Sequence, residues 1–457
     1  MGSELIPLGD LCSKVLTGGT PLTKNKHFYE GGDIPWLKTK EVNFNFIQET
    51  ENFITQEGLD GSSAKLVPIN SVIVAMYGQG DTAGRVAINK VPVTTNQACC
   101  NLVIDPKKGD FRYVYYYLKH SYAELVRRKT GSAQPNLNTR ILKEFEILNL
   151  PLEEQTAIGK LLEKFDLKII LNSKINQTLE QMAQTLFKSW FVDFDPVIDN
   201  ALDAGSDIPE VFEARVERRK AVRESADFKP LPDDIRQLFP SEFEESELGW
   251  VPKGWKRESV SDVIQINPRV KLPKGTEAPF VEMKALPTSG YAVEEVSSKA
   301  FTGGAKFEQH DVLLARITPC LQNGKTGFVD FLNEGEVGFG STEFIVMRQT
   351  EDVHFGYVAC LARNEKFRVH AMQSMVGSSG RQRVQNSCFD SFVITLPTKD
   401  VMSMFAKMSE NYFSKMRTNK LESDNLENLR DTLLPKLISG ELRLDSPEVE
   451  QAKALVE

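Results

Sequence analysis

The sequence predicts an α+β protein with a pseudo-twofold internal repeat, in which two globular domains are separated by two long helices packed as an antiparallel coiled coil. Three observations support this prediction. The chain has 457 residues, more than the roughly 250–300 that one hydrophobic core accommodates. Segments of its two halves match in order, and each half passes from short strand-like runs to a long stretch of helical period.

The repeat has a period of about 245 residues, and its offset drifts as insertions would make it drift. A single match between amphipathic segments could arise by chance, but the shared order of several matches favours duplication. The matched positions are Val72 with Val312, Gly131 with Gly377, Leu150 with Leu396, and Leu179 with Leu426.

Each half begins with short β-branched and aromatic runs separated by Gly, Pro and Asn, which predict strands. These runs cover residues 71–77, 85–88 and 100–104 in the first half, and 311–317, 327–331 and 343–347 in the second. A basic helix is predicted after them, over residues 113–129 and 356–375.

Apolar residues then recur at spacings of three and four, which is typical of one helix face. Asn172 and Asn419 interrupt the two faces at corresponding places, and a buried Asn can fix the register of paired helices. The alternative is two separate amphipathic helices, each covering its own domain. At ~1.5 Å per residue, a helix of about 35 residues would span ~50 Å and could hold two domains apart. The residues predicted to pair the helices or dock a partner are Leu162, Phe165, Ile169, Asn172, Leu179, Met182, Leu186, Phe405, Met408, Tyr412, Asn419, Leu426, Leu429 and Leu433.

These patterns predict the following organisation: a first domain (residues 1–150), a first long helix (151–195), an acidic connector (196–250), a second domain (251–397), a second long helix (398–445) and a tail (446–457). The connector is rich in Pro, and we expect a short helix in it over residues 209–224.

The net charge of −8 argues against a nucleic-acid partner until its distribution is considered. The connector has 14 acidic and 7 basic residues, so it holds nearly all of the net negative charge. Residues 111–143 contain seven Lys or Arg against one Glu, and residues 360–385 contain five against one. Basic charge is therefore clustered at corresponding places in the two halves.

Several functional classes find no support in the sequence. The six cysteines lack CxxC spacing, which indicates reduced thiols and no metal site. No signal peptide or long apolar run occurs, so we expect a cytoplasmic protein. Asn267-Pro268 lacks the aromatic residue of an amino-methyltransferase motif, and the glycines before Lys306 lack P-loop spacing. We therefore expect no catalytic residues.

The motifs resemble those of the specificity subunits of type I restriction-modification systems. Similar proteins introduce each long helix with a Leu-Pro-Leu-x-x-Gln-like signature, matched here by Leu150-Pro151-Leu152-Glu153-Glu154-Gln155. Further family-like segments lie at residues 34–39, 131–136, 249–255 and 433–442, so the resemblance runs from about Leu5 to Leu444. The second half departs from the pattern, with Asp400-Val401 in place of the glutamine and residues 377–383 unlike 131–136.

The resemblance implies a non-catalytic subunit that reads a bipartite target in double-stranded DNA, with one target-recognition domain for each half-site. Two methyltransferase subunits would dock on its helices, and two restriction subunits would join the full complex. S-adenosylmethionine, ATP and Mg would belong to those partners, with no cofactor in this chain. The alternatives are a protein-interaction scaffold with duplicated domains and a coiled-coil spacer, or an enzyme that methylates or cuts DNA alone.

Base readout requires side chains with paired donors and acceptors on loops that can enter the major groove. For any one candidate, a solvated loop side chain is an equally good interpretation. The base-readout candidates are Lys38, Lys40, Tyr77, Gln79, Arg85, Asn96, Gln97, Gln134, Asn136, Arg316, Gln322, Lys325, Ser341, Thr342, Arg381, Gln382 and Arg383. The phosphate-contact candidates, which would position the duplex, are Lys119, Arg127, Arg128, Lys129, Arg363, Lys366 and Arg368.

Overall fold

A computed structural model describes residues 4–78, 80–130, 135–378 and 380–456. The chain divides into two compact units. Unit 1 comprises Met1–Ile170 and Ser423–Glu457, and unit 2 comprises Leu171–Glu422. Both boundaries fall inside long helices, so each unit contains one α+β domain together with a stretch of both helices.

The elements that begin in unit 1 are β1 (Glu4–Pro7), α1 (Leu8–Leu11), β2 (Cys12–Thr17), β3 (Ile34–Leu37), β4 (Asn45–Ile47), β5 (Phe53–Ile54), α2 (Gln56–Asp60), β6 (Val72–Ala75), β7 (Val86–Asn89), β8 (Thr94–Thr95), β9 (Cys99–Ile104), α3 (Phe111–His120), α4 (Tyr122–Arg127), α5 (Thr139–Lys143), β10 (Glu146–Asn149) and α6 (Leu152–Phe187). The strands form a five-stranded sheet of order β2-β9-β6-β7-β4, a three-stranded sheet of order β5-β3-β8, and the antiparallel pair β1-β10. Every residue of β6 and β7 is buried, as expected for apolar strands covered on both faces.

The elements that follow are α7 (Asp195–Ala204), α8 (Glu213–Arg223), α9 (Asp233–Arg236), β11 (Phe243–Ser246), β12 (Gly249–Pro252), β13 (Lys256–Ser259), α10 (Val260–Val263), β14 (Gln265–Ile266), β15 (Glu277–Val281), β16 (Ser297–Ala300), β17 (Ala305–Phe307), β18 (Val312–Ala315), β19 (Thr326–Phe328), β20 (Gly338–Gly340), β21 (Phe344–Arg348), α11 (Phe355–Arg363), α12 (Glu365–Gln373), α13 (Ser387–Ser391), β22 (Val393–Leu396), α14 (Lys399–Ile438) and α15 (Pro447–Ala454). Of these, α15 and the end of α14 belong to unit 1. The larger sheets of unit 2 have the orders β14-β21-β18-β19 and β16-β15-β20-β17.

The two domains repeat the same sequence of elements. In each, a first strand pairs antiparallel with the last strand of the domain, as β1 with β10 and β13 with β22. A one-turn helix follows the first strand, and a buried antiparallel pair lies in the main sheet, β6 with β9 and β18 with β21. The internal repeat predicted from the sequence is therefore also present in the fold.

The prediction of one basic helix in each domain is wrong in one respect, because each predicted segment forms two helices. The first is divided into α3 and α4 at Ser121, and the second into α11 and α12 at Asn364. Asn364 has extended dihedral angles (φ −65°, ψ 130°), which interrupt the helical hydrogen bonds. Its side chain then accepts a hydrogen bond from the Phe367 backbone N–H at 3.2 Å and so caps the next helix.

The signature glutamine at the start of α6 joins that helix to the first domain. The Gln155 side chain is fully buried; its Oε1 accepts from the Asp110 backbone N–H at 3.1 Å and its Nε2 donates to the Leu150 carbonyl at 2.8 Å. Asp110 is itself the N-cap of α3. In unit 2, the Gln349 Oε1 accepts from the Phe355 backbone N–H at 3.0 Å, at the start of α11.

In unit 1, the first half of α6 packs on the last part of α14. The buried face of α6, including Leu162 and Phe165, shares one apolar cluster with Leu426 and Leu433 of α14. Val449 of α15 belongs to the same cluster. The predicted contact between the two long helices is thus present in this unit.

In unit 2, asparagines join the two helices. The Asn172 Nδ2 donates to a Glu422 carboxylate oxygen at 2.8 Å and lies 3.4 Å from the Asn419 carbonyl oxygen. Asn176 accepts from the Asn419 Nδ2 at 2.8 Å and donates to the Met416 carbonyl at 3.0 Å.

One predicted pairing residue lies on the wrong face of its helix. The Met182 side chain is 44% exposed, whereas its neighbour Ala183 is fully buried. The apolar face continues from Ala183 to Phe187 and Trp190, a spacing of four and three residues. The prediction failed because a bulky apolar residue and a small one are adjacent here, and the sequence alone does not fix which of them faces inward.

The acidic connector is packed into unit 2. Phe212 and Phe239 belong to the same buried cluster as Trp190 and Trp255. The helix expected over residues 209–224 corresponds to α8, preceded by a 3-10 turn. Arg219 of α8 binds Asp199 with two hydrogen bonds of 2.8 and 2.6 Å, so part of the acidic charge is paired inside the segment.

Candidate nucleic-acid interface

A basic cleft of about 720 Å³ opens in the second domain near the ends of β14, β17 and β18. Four cationic side chains line it and no carboxylate does so; they are Arg269, Lys271, Lys306 and Arg316. Within the described residues, Arg269, Lys271 and Lys306 have no ion pair. Thr342 and Asn267 add polar groups to the wall. Such a cleft offers an anion three cations that have no ion-pair partner in the part of the chain that the structure describes.

The loop that carries Arg269 is held in place by its own backbone. Asn267 adopts a left-handed conformation (φ 52°), and its Oδ1 accepts from the Val346 backbone N–H at 3.0 Å. Its backbone N–H donates to the Val346 carbonyl at 2.7 Å. These two bonds anchor the loop to β21, and the chain then turns out along the cleft.

Arg269, Lys271 and Lys306 were not among the predicted site residues. The signal that could have found the first two is a run of spaced cations, Arg269, Lys271 and Lys274, in a Pro-containing loop directly after a strand. Lys306 carries no comparable signal, because its strand and the loop meet only in the tertiary structure.

The predicted loop around Arg381 forms a hairpin, in which Val376 and Arg383 pair as an antiparallel bridge. The Arg383 Nη2 donates to a Glu343 carboxylate oxygen at 2.7 Å, which lowers the pKa of Glu343 and occupies the arginine. Arg381 is exposed and has no ion pair with any described residue. Gln382 is tied to Thr318 through its backbone N–H. Both arginines are exposed, and within the described residues Arg381 is the one of the two without an ion pair.

The other candidates of the second domain divide into exposed and internal groups. Lys325 is internal, since its Nζ donates to the carbonyls of Met283 and Lys284 at 2.9 and 3.2 Å. The Ser341 hydroxyl accepts from the Glu343 backbone N–H at 3.2 Å. Gln322 and Thr342 are exposed. Lys325 is partly exposed, and a base would have to compete with these two carbonyls for its Nζ.

In the first domain, Thr130 and Asn136 pair as an antiparallel bridge. In both domains such a bridge lies between the second of the two basic helices (α4 or α12) and a short helix, α5 or α13. The bridge thus recurs in the fold although the sequence between its residues does not. Gln134, predicted at this loop, and Gln79 lie outside the described residues.

Most remaining candidates of the first domain contact neighbouring side chains. Lys38 donates to Asn52 at 3.0 Å, Lys40 pairs with Glu51, and Gln97 contacts Thr20. Arg85 binds both Asn43 at 2.8 Å and Asp81 at 2.6 Å. Asn96 accepts from the Cys99 thiol at 3.3 Å, and burial raises the pKa of Tyr77. A base would have to compete with these contacts.

Two of the phosphate candidates point into the protein, contrary to the prediction. Burial lowers the pKa of Lys119, whose Nζ lies 3.9 Å from Asp166. The Arg363 guanidinium donates to backbone carbonyls, including those of Thr288 at 2.8 Å and Gly324 at 2.9 Å. Helix periodicity places about half of a helix's residues inward, so clustered charge in the sequence does not guarantee a charged surface.

The other five candidates have different surroundings. Arg128 pairs with Glu124 one turn earlier, and Arg127 donates to the Ala123 carbonyl at 3.2 Å. Arg368 is half-buried. Among the described residues, Lys129 and Lys366 have neither an ion pair nor a side-chain hydrogen bond. Lys366 is exposed and Lys129 is partly buried, so Lys366 is the more accessible of these two cations.

The structure describes residues 4–78, 80–130, 135–378 and 380–456. In those ranges no helix is both long and apolar enough to cross a membrane. Nor do three or more His, Cys, Asp or Glu side chains in the described part of the chain group as a metal ion would require.

Comparison with known proteins indicates the family. The type I restriction modification DNA specificity domain matches residues 2–181. The MjaIX specificity subunit of a type I restriction enzyme from Methanocaldococcus jannaschii is 26% identical over 450 residues, which cover 94% of this chain and 92% of that protein. Over most of its length this chain is similar to type I restriction-modification specificity subunits, and its first part carries their DNA specificity domain.

Other specificity subunits agree. The HindI specificity subunit from Haemophilus influenzae is 28% identical over 319 residues, covering 65% of this chain and 69% of that protein. The crystal structure of an S subunit from M. genitalium has the same fold, with a TM-score of 0.55 at 15% identity over 96% of both chains. The predicted fold class is confirmed. Specificity subunits are non-catalytic, and catalysis resides in other subunits, as predicted.

Proposed function

We propose that this chain reads a bipartite DNA target, one half-site for each recognition domain, and docks two methyltransferase subunits on its long helices. Two restriction subunits would complete the assembly. S-adenosylmethionine, ATP and Mg would be held by those partners and not by this chain. The observation that carries the proposal is the basic cleft with Arg381 on the adjoining hairpin, in a domain whose elements recur in the other half.

The charges of the second domain suit the two tasks that DNA recognition requires. Arg and Lys side chains read guanine or bind phosphates, and both tasks need cations that are not already paired. Arg269, Lys271 and Arg381 meet this requirement within the described residues. The hairpin position of Arg381 suits base readout, because a loop tip can enter a groove.

Exposed apolar residues on the long helices support docking of a partner there. Leu171, Met182 and Leu421 of unit 2 and Leu167 of unit 1 are all more than two-fifths exposed. Large apolar side chains on a helix surface are unfavourable in water unless another protein covers them. Met182, which does not face the helix pair, would then serve the partner.

The cleft is tested by replacing two of its cations. The Arg269→Ala/Lys271→Ala chain, assembled with its methyltransferase partner, should bind target DNA with a salt slope lower by about 2, since each phosphate contact contributes about 0.9. Lys274→Ala is the matched control, because Lys274 lies in the same loop and does not line the cleft. An equal salt slope in both variants would contradict the proposed cleft.

The hairpin is tested by sequence preference. Sequencing the methylated sites of cells that express the complex gives the two half-sites directly. Arg381→Ala should relax the preference at one position of one half-site and leave the other half-site unchanged. Two results would reject the assignment. One is loss of sequence preference at both half-sites, and the other is unchanged preference at both half-sites with full methylation. A complex without sequence preference at any salt concentration would favour a protein-interaction scaffold.

A further inference from the structure

Unit 2 encloses a second cavity, distinct from the basic cleft. Its volume is about 470 Å³, within the range of roughly 300–1,000 Å³ that is typical of small-molecule sites. The end of α6, the connector, the β11-β12 hairpin and the α11-α12 pair form its walls. Neither the repeat nor DNA recognition accounts for it, because its walls include the connector, which occurs once in the chain.

Aromatic side chains form much of the wall. Phe194, Phe212, Phe392 and Trp250 all line the cavity. Trp250 is 38% exposed and stands with the exposed Val211 at the rim. Flat apolar walls of this kind favour a planar ligand, which can stack on one ring and contact the edges of others.

Three cations also line the cavity, and no carboxylate does. Arg215 extends along the rings of Phe212 and Phe194, with its guanidinium carbon 5.0 and 5.3 Å from the two ring centres. Lys366 is exposed, and among the described residues it has no ion pair. Arg257 is the third. Asp193 and Asp195 lie near Arg215, but they pair with Lys188 and Arg218 instead.

Two of these arginines carry buried nitrogens without a hydrogen-bond acceptor. The Arg215 Nη1 and the Arg257 Nε are shielded from solvent, and neither has a partner among the described residues. An unpaired buried donor costs free energy, and one on a charged group costs more. An anionic ligand in the cavity would lie against the guanidinium groups, and its charge would offset part of that cost.

We propose that this cavity binds a small molecule that carries an anionic group on a planar aromatic body. The rings of the wall would contact the aromatic part, and Arg215 and Arg257 would bind the anion, with Lys366 at the mouth. Nucleoside monophosphates and aromatic carboxylates share this chemistry. None of the base-readout candidates lines the cavity, and of the phosphate-contact candidates Lys366 and no other does so, at its mouth.

Isothermal titration calorimetry of the full chain tests the proposal with four probes. Adenosine 5′-monophosphate and indole-3-acetate each combine a ring system with an anion, whereas adenosine and inorganic phosphate each have only one of the two features. At least one combined probe should bind about tenfold more tightly than either single-feature probe, the order expected for an added charge-assisted hydrogen bond. Binding of the nucleotide alone or of the carboxylate alone would identify the source of the ligand.

Variants connect the binding to this cavity. Arg215→Ala and Arg257→Ala should each weaken the combined probe by about tenfold. Lys220→Ala, on the same helix as Arg215 but paired with Glu217 at the surface, should bind as the unchanged chain does. If an arginine variant fails to fold, Lys366→Ala and Trp250→Ala, both at the accessible rim, replace it. Trp250→Ala should also abolish the quenching of Trp250 fluorescence by the bound ligand.

Three results would overturn the proposal. The first is no binding of either combined probe. The second is binding of inorganic phosphate or adenosine as tight as that of the combined probes, which would mean that the cavity does not recognise the two features together. The third is unchanged affinity in all the cavity variants that fold.

Discussion

Asp166 of α6 is the acceptor of a buried polar contact that joins three helices of unit 1. Its nearly buried carboxylate accepts from the Tyr116 hydroxyl of α3 at 2.7 Å and from the Arg430 guanidinium of α14. The Arg430 side chain is only 12% exposed, so water screens this pair weakly. The contact fixes the recognition domain and both helices of this unit to one another.

Replacing Asp166 by Ala leaves the Arg430 charge and the Tyr116 hydroxyl without their shared acceptor. Breaking a buried ion pair by removing one partner costs about 3–5 kcal/mol. Arg430 retains Asp431 at 2.8 Å, and that carboxylate is solvated, so we expect a loss of about 3 kcal/mol. The Asp166→Leu/Arg430→Leu chain removes both charges of this pair and should recover part of the loss, since Lys119, 3.9 Å from Asp166, is then left without its carboxylate.

Hydrogen exchange of the α3 amides, followed by mass spectrometry, measures the opening free energy of unit 1 separately from that of unit 2. Asp431→Ala is the control, since Asp431 is 60% exposed and its loss should cost less than about 1 kcal/mol. Equal losses in Asp166→Ala and Asp431→Ala would refute the reasoning. So would a Leu/Leu chain as unstable as Asp166→Ala, because the cost would then not come from an unpaired charge.

Three other perturbations test separate parts of the fold. Gly159→Ala would place a Cβ 2.7 Å from the Arg112 Cβ and 3.0 Å from the Tyr113 backbone nitrogen. The overpacking should cost about 1–3 kcal/mol and exceed the roughly 1 kcal/mol gain in helix propensity, so the protein should be less stable. A higher melting temperature would contradict this expectation. Asn176→Ala removes two hydrogen bonds to α14 and should cost about 1–2 kcal/mol in the hydrogen exchange of residues 411–420, whereas an unchanged rate would show that these bonds contribute nothing. Burial lowers the pKa of His310 below its usual 6.5, so folding releases its proton and the stability of unit 2 should fall as pH decreases below 6.5. His310→Phe keeps the stack on Phe355 and should reduce that decline in urea unfolding followed by tryptophan fluorescence; an identical pH profile would reject the role of His310.

The order of the elements was largely predictable. Strands with continuous apolar runs, such as β6 and β18, and helices with an apolar residue every three or four positions leave signals that depend only on neighbours along the chain. The positions of Asn172 and Asn419 were predictable for the same reason, because each interrupts a regular apolar face. The family resemblance added what the residues alone did not give, namely the association of this fold with DNA.

The candidate site was predicted much less well. Lys119 and Arg363 are of the residue types that bind phosphates. Lys119, however, faces Asp166, and the Arg363 guanidinium donates to several backbone carbonyls. Arg381 and Arg383 are two residues apart, yet only Arg383 meets Glu343, which is 40 positions away. Whether a cation is paired depends on such distant partners.

The sequence by itself determined that the chain folds as two related α+β halves with long helices, because backbone periodicity and turn chemistry are local properties. Only the tertiary structure decided which of the many Lys and Arg side chains are accessible, that Lys306 joins Arg269 in one cleft, and that the acidic connector forms part of a cavity wall. The reason is that charge neutralisation, burial and enclosure depend on residues far apart in the chain, and no local pattern records which of them meet.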